Sequence, residues 1–124
     1  MRSVVLVEDD ADIRLLVSMM LAHHGIEVRG FETGEPAFSA CAARPPDLVL
    51  LDWNLPTVQG IEVLRALREH PVTAHMPVVM MSAVTSPERL AEALAAGAQD
   101  FLRKPFTRSD LLGTVQAHLT CVAA

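Results

Sequence analysis

Cysteine and aromatic residues are scarce in this sequence. It contains two cysteines, four phenylalanines, one tryptophan and no tyrosine. Cys41 and Cys121 lie far apart and match no metal-binding or redox spacing. We therefore interpret both as small apolar core residues in a reducing compartment rather than as a disulfide. The scarcity of aromatic residues predicts a core that is mainly aliphatic.

Long apolar runs and excess positive charge are also missing. No run approaches the ~20 residues that cross a bilayer, and the N-terminus lacks the basic, apolar and small-residue pattern of a leader. The net charge is −5, which argues against generic binding to nucleic acid or to anionic membranes. We therefore expect a cytoplasmic protein that has neither nucleic acid nor a membrane as a partner.

The length and the hydrophobic content are sufficient for one domain. The chain has 124 residues, of which 51% are hydrophobic, and this is enough to bury a core without metals or disulfides. No repeat, low-complexity segment or linker interrupts the pattern. Residues 1–124 are therefore expected to form a single domain.

Short apolar runs alternate with helical patterns five times along the chain. The runs cover residues 3–7, 26–31, 48–52, 77–82 and 100–103. This alternation predicts an α/β fold, a single doubly wound (βα)5 domain whose parallel sheet is covered by helices on both faces. The flavodoxin-like strand order 2-1-3-4-5 is expected, and it puts the ends of strands 1 and 3 side by side.

The apolar positions of the helices predict which helix faces are buried. Those of the first helix are Ile13, Leu16, Val17, Met20 and Leu21; those of the fourth are Leu90, Ala93, Leu94 and Gly97; those of the last are Leu111, Leu112, Val115, Leu119 and Val122. Asp10 and Ser86 are the predicted N-caps of the first and fourth helices, and Thr107 or Ser109 caps the last.

Polar residues follow the strands where each is expected to leave the sheet. Glu8 and Asp9 follow the first strand, Asp52 ends the third, and Ser82 and Lys104 lie at the ends of the fourth and fifth. Any one of these acids alone is better explained as a solvated loop cap. Together at one sheet edge, three carboxylates repel each other and require a cation or a raised pKa. Hard oxygen ligands favour Mg²⁺.

These residues belong to five motifs that resemble the receiver domain of two-component response regulators. The motifs occur in the family's order and cover essentially the whole chain. They are Glu8-Asp9-Asp10; Asp52 with Asn54-Leu55-Pro56 and Gly60; Ser82-Ala83; Gly97-Ala98 with Asp100-Phe101-Leu102; and Lys104-Pro105-Phe106.

The resemblance implies that Asp52 is the phosphoacceptor. Its carboxylate would attack the phosphohistidine of a sensor histidine kinase or phosphotransfer protein, or a small phosphodonor, and form an acyl phosphate. Mg²⁺ would be held by Asp52, by Asp9 directly, by Glu8 mostly through water, and by the backbone carbonyl of Asn54. The protein would be a signalling switch rather than an enzyme, because it catalyses only its own phosphorylation and slow dephosphorylation.

The resemblance also assigns roles to the remaining site residues. Lys104 would pair with the acceptor carboxylate and later with a phosphoryl oxygen, and the Lys104–Pro105 peptide bond would be cis. Asp10 would serve as a helix cap.

Ser82 and Phe101 match the family's switch pair, so Ser82 would bond the phosphoryl group and Phe101 would rotate inward. Ordinary core packing is the alternative explanation for Phe101. The output surface would be the helix from Pro87, the fifth strand and the last helix, which would contact an unknown protein target or support a phosphorylation-dependent homodimer.

Three residues depart from the family's usual pattern. Trp53 is larger than the usual residue after the acceptor, and it either partly covers the site or is an exposed indole. Gln59 replaces a commoner acid before Gly60. Val84 is apolar at a position where a polar side chain helps to position attacking water, which predicts slow loss of the phosphoryl group.

Three other functions remain to be weighed. A haloacid-dehalogenase-type phosphatase needs a second aspartate as general acid two residues after the nucleophile, where this chain has Asn54. A flavodoxin-like cofactor binder needs phosphate-binding donors in its first loop, where this chain has Glu8, Asp9 and Asp10. A degenerate receiver that acts only as a binding module would lack site residues that are present here.

Overall fold

Five strands and five helices alternate along residues 2–123, the part of the chain that the computed structural model describes, with side chains described from 2 to 119. The strands are β1 (Ser3–Val7), β2 (Glu27–Phe31), β3 (Leu48–Asp52), β4 (Val78–Ser82) and β5 (Asp100–Arg103). The helices are α1 (Ala11–Ala22), α2 (Gly34–Ala43), α3 (Gly60–Glu69), α4 (Pro87–Ala96) and α5 (Arg108–Ala123). Cys121 and Val122, predicted as core residues, lie outside the described side chains.

The strands form one parallel sheet in the order β2-β1-β3-β4-β5, and the predicted fold is therefore confirmed. The register places Val7 beside Leu51 and Ser82 beside Arg103. The carboxyl ends of β1, β3, β4 and β5 consequently reach the same edge of the sheet at similar levels. Among the described residues, no helix has the length and apolar character that crossing a membrane requires, and the cytoplasmic location stays a prediction.

The core consists of one apolar cluster on each face of the sheet. Every residue of β1, β3 and β4 is buried, and alternate residues of each strand enter opposite clusters. Helices α1 and α5 cover one face, and α2, α3 and α4 cover the other. Cys41 lies in the cluster that α2, α3 and α4 cover. Burial raises the pKa of its thiol to about 11, because the effect of burial is larger than the opposing effect of the Arg29 charge. This thiol is therefore unreactive.

Side-chain caps fix the start of three helices. At α4, the hydroxyl oxygen of the predicted N-cap Ser86 accepts a hydrogen bond from the Arg89 N–H at 3.2 Å. The Asp10 carboxylate accepts hydrogen bonds from the backbone N–H groups of Asp12 and Ile13 at 2.9 and 3.1 Å, as the sequence predicts. At the last helix, the Asp110 N–H donates to the Thr107 hydroxyl at 3.0 Å and the Thr107 N–H donates to the Asp110 carboxylate at 3.1 Å. Thr107, and not Ser109, is therefore the N-cap.

Two predicted core positions are wrong. Leu16 in α1 is 52% exposed and Leu94 in α4 is 63% exposed. Leu16 directly precedes the buried residue Val17, and Leu94 directly follows the buried residue Ala93. Neighbouring helix positions point about 100° apart. The buried faces of these helices are narrower than the apolar pattern predicts.

Candidate functional site

Three carboxylates meet at the edge where β1 and β3 end. One ligand oxygen from each of Glu8, Asp9 and Asp52 lies within 4.8 Å of the other two. Glu8 is 1% exposed and Asp52 is 4% exposed, whereas Asp9 is exposed. The adjacency of β1 and β3 in the sheet causes this convergence, and two of the three negative charges are held away from water.

Lys104 supplies the positive charge that these acids need. It is the only lysine of the chain, and it follows β5. Its Nζ donates to Asp52 Oδ2 at 3.0 Å and also contacts Glu8 Oε1. Burial alone lowers the pKa of Lys104, but the hydrogen bonds to Glu8 and Asp52 outweigh burial and raise this pKa above its ordinary value. The side chain is therefore charged at neutral pH. The Lys104–Pro105 peptide bond is cis.

Backbone donors hold the two buried carboxylates in place. The Asp10 N–H donates to Glu8 Oε2 at 3.1 Å, and the Asn54 N–H donates to Asp52 Oδ1 at 3.3 Å. Arg14, which lies outside the five sequence motifs, donates to the Glu8 carbonyl at 2.7 Å. Asp52 thus has one oxygen bound to Lys104 and the other held by a single long hydrogen bond.

The cluster fits a small hard cation. Opposite ligands around an octahedral Mg²⁺, each at about 2.1 Å, are about 4.2 Å apart. The oxygens of Glu8, Asp9 and Asp52 lie within 4.8 Å of one another, so small adjustments bring them around one ion. The exposure of Asp9 and of Asn54 leaves that side of the site open to the waters that Mg²⁺ retains.

Ser82, Arg89, Trp53 and Phe101 form a second group beside the acids. Ser82 is fully buried, and its Oγ accepts hydrogen bonds from the Val84 N–H at 3.0 Å and from Arg89 Nη1 at 3.2 Å. The Arg89 guanidinium carbon lies 4.4 Å from the ring centroid of Trp53, and the Trp53 and Phe101 centroids are 6.3 Å apart. Arg89 belongs to none of the five sequence motifs.

Trp53 is a buried residue. The residue is 4% exposed and belongs to the apolar cluster that α2, α3 and α4 cover. The interpretation as an exposed indole is therefore wrong. Phe101 is partly buried and packs against the same cluster, so the described contacts are compatible with both explanations given for Phe101.

Gly60 allows α3 to begin directly against the end of β3. Its N–H donates to the Trp53 carbonyl at 2.8 Å. A Cβ at this position would lie 2.0 Å from the Asp52 carbonyl oxygen and 2.9 Å from Trp53 Cα. In the sequence Gly60 is marked only as part of the Asp52 motif, whereas in the structure its close approach to Asp52 and Trp53 fixes the backbone that carries Asp52.

Replacement of Gly60 by alanine is expected to destabilise the protein by about 2 kcal/mol, because the backbone of β3 or α3 must shift to admit the methyl group. Urea unfolding measures this loss. Gly113→Ala is the matched control, because a Cβ at that exposed position in α5 meets no atom within 4 Å. The control is expected to gain about 0.5–1 kcal/mol from helix propensity. Equal stabilities of the two variants would contradict the close approach.

The similarity to known proteins covers most of the chain. The family model described as response regulator receiver domain matches residues 4–116. The chain is 37% identical over 116 residues to the phosphate regulon transcriptional regulatory protein PhoB of Rhizobium meliloti, with 94% of this chain and 51% of that protein covered. It is 34% identical over 116 residues to the DNA-binding response regulator MtrA of Mycolicibacterium paratuberculosis, with 94% and 50% covered.

A solved structure supports the same relationship. The chemotaxis response regulator CheY4 of Vibrio cholerae superposes with a TM-score of 0.90 at 34% identity, with 95% of this chain and 98% of that chain covered. The present chain spans about half the length of the curated relatives that it matches.

The expectation that nucleic acid is not a partner is wrong. PhoB is named as a transcriptional regulatory protein and MtrA as a DNA-binding response regulator. The expectation came from the net charge of this chain, which is −5. That charge carries no information on the half of the relatives that this chain does not span.

Proposed function

Because the chain belongs to the response regulator receiver family, we propose that Asp52 accepts a phosphoryl group in a Mg²⁺-dependent reaction. The phosphodonor is the phosphohistidine of a histidine kinase or a small acyl phosphate. The observation that supports this most strongly is the buried Asp52 carboxylate at the end of the central strand. This carboxylate contacts the Lys104 ammonium and lies close to the carboxylates of Glu8 and Asp9.

Asp52 Oδ1 is the oxygen better suited to attack phosphorus. Oδ2 is bound by Lys104 at 3.0 Å, whereas Oδ1 accepts one long hydrogen bond from the Asn54 N–H at 3.3 Å. As the new O–P bond forms, the bond from phosphorus to the donor breaks, and its electron pair leaves with acetate or with the kinase imidazole. The product is an aspartyl phosphate.

Positive charge at the site makes this approach possible. The Lys104 ammonium is held by Glu8 and Asp52, and it is placed to stabilise charge on the phosphoryl oxygens. When bound by Glu8, Asp9, Asp52 and the Asn54 carbonyl, Mg²⁺ supplies charge that screens the incoming phosphate from the carboxylates.

The proposal includes a switch that runs from Ser82 to α4, β5 and α5. Phosphorylation adds nearly two negative charges and three acceptor oxygens. The buried Ser82 hydroxyl lies at the end of β4, next to β3. This position supports a role for Ser82 as a hydrogen-bond donor to the phosphoryl oxygens. Phe101 in β5 contacts Trp53, the residue after the acceptor. Movement at the site can therefore be transmitted to Phe101 by direct packing.

The chain is proposed to act as a signalling switch and not as a turnover enzyme. Asn54 lies where a phosphatase of the haloacid-dehalogenase type needs an acid that protonates the leaving group, and an amide cannot do so. The names of PhoB and MtrA support control of transcription as the output of the whole protein.

Intact-mass spectrometry after incubation with acetyl phosphate tests the proposed function. With Mg²⁺ present, the protein is expected to gain the mass of one phosphoryl group, and chelation of the metal by EDTA is expected to suppress this gain. A mass that does not change in either condition would overturn the proposal. Catalytic turnover on phosphate esters would favour the phosphatase.

Val84 predicts a long-lived aspartyl phosphate. This residue is 47% exposed at the rim of the site, two residues after Ser82. Because an apolar group cannot position attacking water, Val84→Glu is expected to shorten the lifetime about threefold to tenfold. This is less than the ~10²-fold effect of a well-placed general base.

The decay of the phosphorylated mass with time measures this lifetime. Val72→Glu is the matched control, since Val72 is 53% exposed in the α3–β4 loop at the opposite edge of the sheet. A lifetime that is unaffected in Val84→Glu would count against the role of this position.

A further inference from the structure

Arg89 lies at a helix position that its charge does not favour. It is the third residue of α4, whose N-cap is Ser86 and whose first residue is Pro87. The N-terminus of a helix carries partial positive charge and prefers acidic side chains, and the third position usually carries Glu or Gln in a capping box. Local helix energetics therefore do not explain an arginine here.

The contacts of Arg89 are directed into the site instead. Its Nη1 donates to Ser82 Oγ at 3.2 Å, and its guanidinium lies over the buried Trp53 ring with the guanidinium carbon 4.4 Å from the centroid. Such stacking holds the planar guanidinium in one orientation. Trp53 and Ser82 flank the acceptor, because Trp53 follows Asp52 and Ser82 ends the adjacent strand.

These contacts determine what the Ser82 hydroxyl can do. A hydroxyl oxygen has two acceptor lone pairs and one O–H donor. Ser82 Oγ already accepts from the Val84 N–H and from Arg89, so both lone pairs are used. The O–H is what remains to be offered to a further partner, and a phosphoryl oxygen is an acceptor only.

We infer that Arg89 is a positioning residue for phosphoryl transfer to Asp52. It presets the Ser82 hydroxyl as a hydrogen-bond donor toward the phosphoryl group, and it adds a second cation to the site beside Lys104. The inference rests on the proposed function and deepens it, since the family resemblance gave no role to Arg89.

The rate of phosphoryl uptake from acetyl phosphate and Mg²⁺ tests the inference, because a small donor needs no docking surface. Arg89→Gln is expected to react about tenfold more slowly, since it loses the charged donor that orients Ser82. Arg89→Lys keeps the charge without the planar fork and is expected to recover part of the rate.

Arg65→Gln is the matched control for the loss of one positive charge. Arg65 pairs with Glu92 at 3.2 Å on the surface, and their side chains are 51% and 46% exposed. The Arg65→Gln variant is therefore expected to react at the wild-type rate. Fluorescence of Trp53, the only tryptophan, gives a second readout. It is expected to change on phosphorylation of the wild type and to change less in Arg89→Gln.

The outcomes separate this inference from the proposed function. If the wild type gains the phosphoryl mass and Arg89→Gln gains it equally fast, the inference is overturned and the proposed function stands. A wild type that gains no mass overturns both. A slow Arg89→Gln whose urea midpoint falls in parallel, with no recovery in Arg89→Lys, assigns Arg89 a structural role and also overturns the inference.

Discussion

Asp52→Asn is expected to abolish the uptake of a phosphoryl group from acetyl phosphate while leaving the protein folded. The amide lacks the anionic oxygen that attacks phosphorus. The fold is expected to tolerate the change, because Asp52 lies within 4.8 Å of the oxygens of Glu8 and Asp9 and its neutralisation removes repulsion between like charges. Intact mass in the presence of Mg²⁺ measures the uptake, and urea unfolding measures the stability.

Asp12→Asn is the control for this variant. Asp12 is an exposed residue in the first turn of α1, and its loss changes the net charge by the same amount. The control is expected to gain the phosphoryl mass as the wild type does. Phosphoryl uptake by Asp52→Asn at the wild-type rate would show that another residue is the acceptor.

Lys104→Met is expected to destabilise the protein by about 3 kcal/mol when Mg²⁺ is absent. The Lys104 ammonium pairs with Glu8 and Asp52. The side chains of Lys104, Glu8 and Asp52 are 18%, 1% and 6% exposed. Removal of one partner of a buried ion pair leaves uncompensated charge, which typically costs ~3–5 kcal/mol. Urea unfolding in EDTA measures the effect, and added Mg²⁺ is expected to recover part of the loss.

The double variant Lys104→Met with Glu8→Gln is the control, because it removes the most buried of the unpaired charges. It is expected to be less destabilised than the sum of the two single variants. Additive losses would mean that Lys104 and Glu8 do not stabilise each other.

Lys104→Met is also expected to accept the phosphoryl group but to give a weaker conformational response, visible as a smaller fluorescence change of Trp53.

The pKa of Lys104 gives the same interaction a pH signature. The hydrogen bonds to Glu8 and Asp52 raise this pKa against the opposing effect of burial. A group whose pKa is raised by folding stabilises the protein below its unfolded pKa, and the stabilisation is lost as the pH rises through the folded pKa. The contribution is therefore complete at neutral pH. NMR of protein that carries ¹³C-lysine measures the pKa of Lys104 from a single signal, because the chain has one lysine. This signal is expected to titrate above the ordinary lysine range.

The sequence predicts the backbone of this protein well because its signals are periodic and local. Continuous apolar runs mark strands that are buried on both faces, and Leu48–Asp52 is the clearest example. Once the strands are known to be parallel, their carboxyl ends share one edge. The convergence of Glu8, Asp9, Asp52 and Lys104 follows from the order of the strands and needs no further information.

The direction of long side chains is what the sequence does not predict. Arg89 is separated from Trp53 by 36 positions, and only the packing of α4 against the sheet brings them together. Arg14 is missed although its partner Glu8 is only six positions away, because the direction of its long side chain is not encoded in the local pattern. The signal that could have identified Arg89 is its unfavourable position in the first turn of α4, where an acid is expected.

Burial of single residues also depends on tertiary packing. Leu16 and Leu94 match the apolar spacing of their helices but are exposed, whereas the adjacent residues Val17 and Ala93 are buried in the two core clusters. Trp53 is buried although a large side chain next to the acceptor could equally have faced solvent. These outcomes are fixed by neighbouring elements that are distant in the sequence.

The residue that carries the phosphoryl group is the most direct test of this account. After reaction with acetyl phosphate and Mg²⁺, borohydride reduces an aspartyl phosphate to homoserine, and peptide sequencing by mass spectrometry locates the altered residue. We predict a single alteration, at Asp52, which is absent when the metal is chelated before acetyl phosphate is added. An alteration at Asp9 or any other carboxylate, with Asp52 unchanged, would contradict the account.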